Sequence, residues 1–293
     1  MTNFNFNLIK NKNKIFKFSS ALILLSLIGI LYSTFNTPFK KPINLGMDFI
    51  GGNELKVERI CDEECNKISP DLVIEKLREF SNNKNILNNM KLQIQNNNSL
   101  ISIRTPYLTI EESNNLITNI DNIVGPLNYE SKESRIIGPK LGKKLLRNCA
   151  TSLLVSLFAI SLYISLRFDK KYALFALLAL FHDLFIIFGV FSWLGFLLSI
   201  EVNSLFAVSL LTIAGYSVND TVVIFDRIRE NLKQSSDNYN KTIQISVNES
   251  FRRTLFTSFT TLIPLLTLII FGSYSLFWFS VSVSFGILIG SYS

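Results

Sequence analysis

Six stretches of the chain each carry about 18 to 23 mostly apolar residues, near positions 18 to 35, 149 to 166, 173 to 195, 203 to 225, 255 to 272 and 275 to 293. As helix, a run of that length crosses a hydrocarbon core of about 30 Å. The pattern therefore predicts six membrane-spanning helices. The first run follows four lysines between Lys10 and Lys17, as a secretory signal would. The YSTFNTPF after it offers no A-x-A-like cleavage site, which favours a retained anchor over a signal peptide.

Between the first two runs, over roughly 36 to 145, the pattern changes to short amphipathic pieces. NELKVERI alternates as a strand, and SPDLVIEKLREF places Leu72, Val73, Leu77 and Phe80 at helical spacing after a Ser-Pro-Asp start. MKLQIQ and LISIRT predict a hairpin around an Asn-rich turn. EESNNLITNIDNIV predicts a second helix ended by Gly125-Pro126, and LNYESKESRII a last strand. The order βαββαβ is the split βαβ arrangement of a ferredoxin-like α+β domain.

Charge orients the spans. The tail before the first run (1–17) has its lysines, the second connection has Arg167, Lys170 and Lys171, and the fourth, 226–254, has Arg227, Arg229, Lys233, Lys241, Arg252 and Arg253. SWLGFLLSIEVNS and FGSYS have neither Lys nor Arg. The basic segments are expected in the cytoplasm, and the α+β domain (36–145) on the periplasmic side, since long domains translocate largely regardless of charge. The organisation expected is a cytoplasmic tail, a first span (18–35), that domain, and five further spans over 146–293. TIQISVNESFRR, at helical spacing, is expected to lie along the cytoplasmic surface.

Composition agrees with a membrane protein: 48% of the 293 residues are hydrophobic and the mean hydropathy is +0.32. The net charge of +7 sits beside apolar runs rather than in one basic stripe with aromatics, so no nucleic-acid partner is expected. The chain has no P-loop, G-x-G-x-x-G turn or G-x-S-x-G elbow, and one histidine argues against a His-based triad or metal cluster. No catalytic residue, cofactor or metal is expected, and any ATP must be hydrolysed by another protein. Cys61 and Cys65 in CDEEC fit a local disulfide in an oxidising compartment better than zinc.

Ionisable groups inside spans are costly, so each is a candidate for function. Asp183, next to His182, falls near the middle of the third span, and Asp220 about five residues, roughly 8 Å, inside the cytoplasmic end of the fourth. Tyr216, Ser217 and Asn219 give that helix end a polar face expected to look into the bundle. A carboxylate there needs a partner or a proton. Arg253, starting the fifth span from the same side, can reach inward on its long stem. Two readings stay open: Asp220 alternates between Arg-paired and protonated states, or it is permanently paired or snorkels to the nearby surface and stabilises the bundle without ever titrating. For His182 and Asp183, a hydrogen-bonded pair tying helices together is favoured over an obligatory relay. Asp226 in DRIREN is expected to be paired at the surface.

GYSVNDTVVIFDRIREN, followed by NESFRRTLFTSFTTL, resembles the SecD/SecF family of the RND superfamily. The resemblance extends to GMDFIGGNEL at 46–55, a G-x-D-F-x-G-G motif opening the periplasmic domain, to IIGPKLGKKL before the second span, and to FHD in the third. It implies six helices forming one RND-like half with a ferredoxin-like domain, paired with SecD and working on the SecYEG channel after the SecA motor has begun. The implied role is to use the proton-motive force to draw an unfolded polypeptide across the cell inner membrane. The resemblance assigns proton conduction to Asp220 with Arg253; Asn219, Asp183 and His182 stand beside them as further candidate relay residues from their place in the spans. Gly46, Asp48, Phe49, Gly51 and Gly52 shape a turn, glycine permitting angles denied to other residues. GILIGSYS lacks the further apolar turns and basic tail the resemblance implies, so a truncated chain is expected. Two rival classes are an RND-type small-molecule exporter and a translocon scaffold that moves no protons.

Overall fold

A computed structural model describes residues 8–36, 40–61, 65–80, 90–95, 98–234 and 238–293. In chain order the elements are α1 (Leu8–Asn36), α2 (Met47–Ile50), β1 (Gly52–Arg59), α3 (Pro70–Phe80), β2 (Lys91–Gln95), β3 (Leu100–Thr105), α4 (Ile110–Val124), β4 (Leu127–Ile137), α5 (Pro139–Arg167), α6 (Lys170–Leu198), α7 (Ser204–Gln234), α8 (Tyr239–Phe271) and α9 (Tyr274–Tyr292). The chain divides into two units, Leu45–Asn148 and a helical unit of Met1–Asn44 with Cys149–Ser293. The α+β unit thus starts later and ends slightly later than the 36–145 expected from sequence.

In the α+β unit the sheet order is β2-β3-β1-β4 and every neighbouring pair is antiparallel. β3 lies between β1 and β2, and β1 between β3 and β4, which is the ferredoxin-like split βαβ topology. Strand alternation supplies one side of the core, Leu55 and Val57 from β1 with Ile101 and Ile103 from β3. Val73 and Leu77 of α3, with Leu116, Ile117 and Ile120 of α4, cover them at helical spacing. Leu72, expected in this core, is exposed because it stands about 100° around the helix from Val73. The side chain of Phe80 and hairpin residues 96 and 97 lie outside the described residues.

Local hydrogen bonds set the ends of these elements. Thr109 and Glu112 form a reciprocal capping box at the start of α4. At its other end the Arg59 guanidinium donates to the Val124 carbonyl through Nε and Nη2, at 3.2 and 3.0 Å, and to the Asn66 and Asn98 carbonyls through Nη1. One cation thereby satisfies the C-terminus of α4 and two loops.

Among the described residues six helices are long and apolar enough to cross a membrane: α1, α5, α6, α7, α8 and α9. Close packing rests on small residues and interhelical hydrogen bonds, as expected where lipid removes the hydrophobic drive between helices. A Cβ at Gly189 of α6 would fall on Ser26 of α1, and one at Gly286 of α9 on Ile213 of α7. Ser192 Oγ donates to Gly29 O at 3.0 Å and Trp193 Nε1 to Leu25 O at 2.9 Å, fixing α6 to α1.

Helix boundaries differ from expectation at three places. The basic tail is already helix from Leu8. α5 begins at Pro139, whose missing N–H costs nothing at the first helical position, rather than near 149. The stretch 226–254, expected as a cytoplasmic loop, is mostly helix: α7 runs to Gln234 and α8 starts at Tyr239, so TIQISVNESFRR continues the membrane helix. The charged residues of DRIRENLKQ end the apolar pattern but are good helix formers, and helix continues through them.

The Glu112 carboxylate is held below the ordinary carboxylate range first by the Thr109 backbone N–H and then by its hydroxyl. A folded-state value below the unfolded one means the cap contributes above the ordinary carboxylate range and is lost as pH falls through the lowered value. Acid unfolding of the α+β unit, followed by circular dichroism, is therefore expected to lose part of its pH dependence in Glu112→Gln. Superimposable acid profiles would contradict the capping assignment.

Candidate functional site

Asp220 sits in α7, 4% exposed, with 16 helical residues before it and 14 after. Tyr216, Asp220, Arg227 and Asn231 fall on one helical face by their 3.6-residue spacing. Three of the four bond to α8. Tyr216 Oη donates to Ser258 Oγ at 2.8 Å, Arg227 Nε to Glu249 Oε2 at 2.7 Å, and Asn231 Nδ2 to Ser246 Oγ and Glu249 Oε2 at 3.0 Å. Asp220 consequently faces α8 too. Its Oδ1 has a long 3.5 Å contact from Asn219 Nδ2, and its Oδ2 has no hydrogen-bond partner among the described residues.

Arg253 is close enough for its charge to act on Asp220, but among the described residues no ion pair within 4.0 Å joins them. Its side chain is on the exposed side of α8, one residue from the buried Thr254.

His182 and Asp183 form a separate cluster. His182 Nδ1 is 2.9 Å from Asp183 Oδ1 and its Nε2 is 2.6 Å from Ser19 Oγ of α1. Asp183, fully buried, accepts on Oδ2 from Ser217 Oγ at 2.7 Å and Ser293 Oγ at 2.9 Å. Tyr292 packs edge-on against the imidazole. The cluster ties α6 to α1, α7 and the end of α9. The chain Ser19, His182, Asp183 has the hydrogen-bond order of a nucleophilic triad. Ser19 lies inside a continuous helix, however, whose backbone N–H groups are consumed by the helix itself, so an oxyanion hole has no donors there. Ser217 brings the two acids within one turn, since it stands three residues before Asp220.

Asp226 accepts from Arg167 of α5 at 2.8 Å and from Arg229 at 3.0 Å, partly exposed, as expected. In the α+β unit, Gly46 caps the four-residue α2, Phe49 is buried, and buried Asp48 pairs with Arg135 at 3.1 Å. Gly51 and Gly52 have φ of +88° and +152°. A Cβ on Gly51 would stand 2.9 Å from Ile137 O, and one on Gly52 2.6 Å from Thr105 O. The glycines therefore admit the start of β1 between the ends of β3 and β4. Cys61 and Cys65 are joined as a disulfide with Cα atoms 5.3 Å apart; residues 62–64 lie outside the described residues. Among the described residues no group of three or more His, Cys, Asp or Glu side chains is placed to hold a metal.

Sequence reasoning singled out the two acids but not Ser19, Ser258 or Thr254. The available signal was the i, i+4 run of hydroxyls from Thr242 to Ser258.

Residues 117–293 match the family described as protein export membrane protein SecD/SecF, C-terminal. The chain is 44% identical to the protein translocase subunit SecF of Prochlorococcus marinus, covering 99% of this chain and 92% of that protein. It is 35% identical to the SecF subunit of Synechocystis, covering 94% and 86%. Among solved structures it resembles the translocon-associated SecDF of Thermus thermophilus, with TM-score 0.77 and 28% identity. That match covers 98% of this chain and 37% of the SecDF chain, so the chain corresponds to little more than a third of that protein.

Asp183 holds three protein partners, so its removal strands the buried Ser217 hydroxyl and takes one partner each from His182 and Ser293. Asp183→Ala is expected to lower the thermal unfolding midpoint of the detergent-solubilised protein by the equivalent of about 2 kcal/mol or more. Ser217→Ala is expected to cost only about 0.6 kcal/mol, a typical interhelical bond. Equal midpoints for Asp183→Ala and wild type would remove the cluster's bracing role.

Proposed function

Because the chain belongs to the SecD/SecF family of protein-export membrane proteins, we propose that it pairs with a SecD half and uses the proton-motive force to promote export. The clients are unfolded polypeptides passing through the SecYEG channel after the SecA motor has started them. In this reading the N-terminus is cytoplasmic, the α+β unit is periplasmic, and the membrane is the cell inner membrane.

The observation that carries the proposal is Asp220: a carboxylate buried within an apolar helix, one oxygen unpartnered, with a cation near but not bonded. A permanent charge at such depth costs roughly 2.5 to 3.5 kcal/mol on insertion scales. A site whose task is only structural gains nothing from leaving it unpaired. A site that loads and unloads a proton needs a carboxyl accessible to both states.

A proton crossing the membrane yields about 2.3 kcal/mol per 100 mV, enough to bias two helix arrangements of similar energy. Ionised Asp220 draws Arg253 towards it, and protonation releases the guanidinium. α7 and α8 are bonded at Tyr216–Ser258 and again at Arg227–Glu249, so they respond as one pair against SecD. The periplasmic unit then alternates its hold on the emerging chain, which turns thermal motion into net outward movement. Asn219 orients the carboxylate, while His182 and Asp183 brace the helices around it.

Replacing Asp220 by Asn keeps size and polarity but removes titration. In inverted membrane vesicles, Asp220→Asn is expected to abolish the part of export that depends on the proton gradient and to leave ATP-driven initiation intact. Gradient-dependent export at the wild-type rate would leave the scaffold reading in its place.

A further inference from the structure

α8 turns a hydroxyl towards the bundle at every fourth position: Thr242, Ser246, Ser250, Thr254 and Ser258 are all buried. A column of small polar residues is ordinary packing between membrane helices. Thr242 Oγ1 and Ser246 Oγ donate to the carbonyls one turn before them, and Ser258 Oγ accepts from Tyr216. Thr254 is different. It is 3% exposed and its Oγ1 has no hydrogen-bond partner among the described residues.

The register of the two antiparallel helices says what it faces. Tyr216 bonds Ser258, and Arg227 bonds Glu249. Asp220 lies four residues beyond Tyr216, and Thr254 four residues before Ser258, so the two stand level on the contacting faces. Five buried side-chain oxygens lack a partner among the described residues: Thr105 Oγ1 in the α+β unit, Ser280 Oγ and Ser284 Oγ on α9, and these two, Asp220 Oδ2 and Thr254 Oγ1. Only the last two fall level with each other on α7 and α8 by this register, and no hydrogen bond joins them in this arrangement.

We propose that Thr254 is the residue through which Asp220 exchanges its proton with water on the cytoplasmic side. This rests on the reading of Asp220 as the relay acid. Arg253 cannot take up the proton of the protonated acid, because a guanidinium donates and never accepts. A hydroxyl does both, so Thr254 donates to the ionised acid and accepts from the protonated one. On release, the carboxyl O–H bond breaks as its proton passes to Thr254 Oγ1. The hydroxyl proton of Thr254 moves at the same time to a water molecule, giving hydronium. Asp220 is left ionised and Thr254 is again a neutral hydroxyl.

Other ionisable groups on elements packed against α7 are committed or lie apart. His182 and Asp183 of α6 bond each other, with Tyr292 of α9 against the imidazole. Glu249 of α8 pairs with Arg227, Arg252 lies over Phe256, Arg253 is on the exposed side, and Arg167 of α5 pairs with Asp226.

The test is proton uptake by the complex with SecD in liposomes carrying an internal pH-sensitive dye. Thr254→Val keeps the shape and removes the hydroxyl, and is expected to slow uptake at least about tenfold. Thr254→Ser, which restores a hydroxyl, is expected to stay within about twofold of wild type. Wild-type uptake by Thr254→Val, with Asp220→Asn inactive, overturns the role of Thr254 and leaves the relay acid standing. Wild-type uptake by Asp220→Asn removes the underlying reading instead. If Thr254→Val fails to assemble with SecD, Thr254→Ser is compared with Thr254→Ala: faster uptake with serine supports the hydroxyl, and equal rates overturn it.

Discussion

The helical unit is governed by the absence of water from the hydrocarbon core. A polar atom there is satisfied by protein or remains unsatisfied at a cost, since solvent offers no third option. The hydroxyls of α1, α6, α7 and α8 obey this by donating to carbonyls one turn back or to a neighbouring helix. His182 and Asp183 obey it by sharing protons with Ser19 and Ser217. Against that background the unpartnered oxygens of Asp220 and Thr254 are informative, because the same helices show how readily such groups are paired when pairing is the purpose.

Much of the architecture was legible in the chain because it follows from run length and period. Twenty apolar residues dictate a spanning helix, and alternation in NELKVERI and LISIRT dictates two strands of a sheet. The misread places are those where two signals compete. In DRIRENLKQ the charges ended the apolar run while helix propensity continued, and the helix continued with it. TIQISVNESFRR, expected along the surface from its helical spacing, instead buries Thr242, Ser246 and Ser250, because membrane helices contact one another through small polar residues.

The candidate site was legible in its parts and not in its pairing. Burial of Asp220 and Asp183 could be read from depth alone. That Arg253 and Thr254 divide between the outer and inner sides of α8 could not, since adjacent residues differ by about 100° and only the register with α7 selects which one faces the acid. The glycines of GMDFIGG, by contrast, announce a backbone requirement directly, and positive φ at Gly51 and Gly52 supplies it.

The bonds Tyr216–Ser258 and Arg227–Glu249 bracket Asp220 on either side. Two rods pinned at both ends of an interval cannot slide within it, so the acid behaves as a fixed electrode whose distance from the α8 backbone stays constant. Under the proposed relay, alternating exposure to the two sides of the membrane would then come from the walls around this hairpin, on the faces turned to α6, α9 or another subunit.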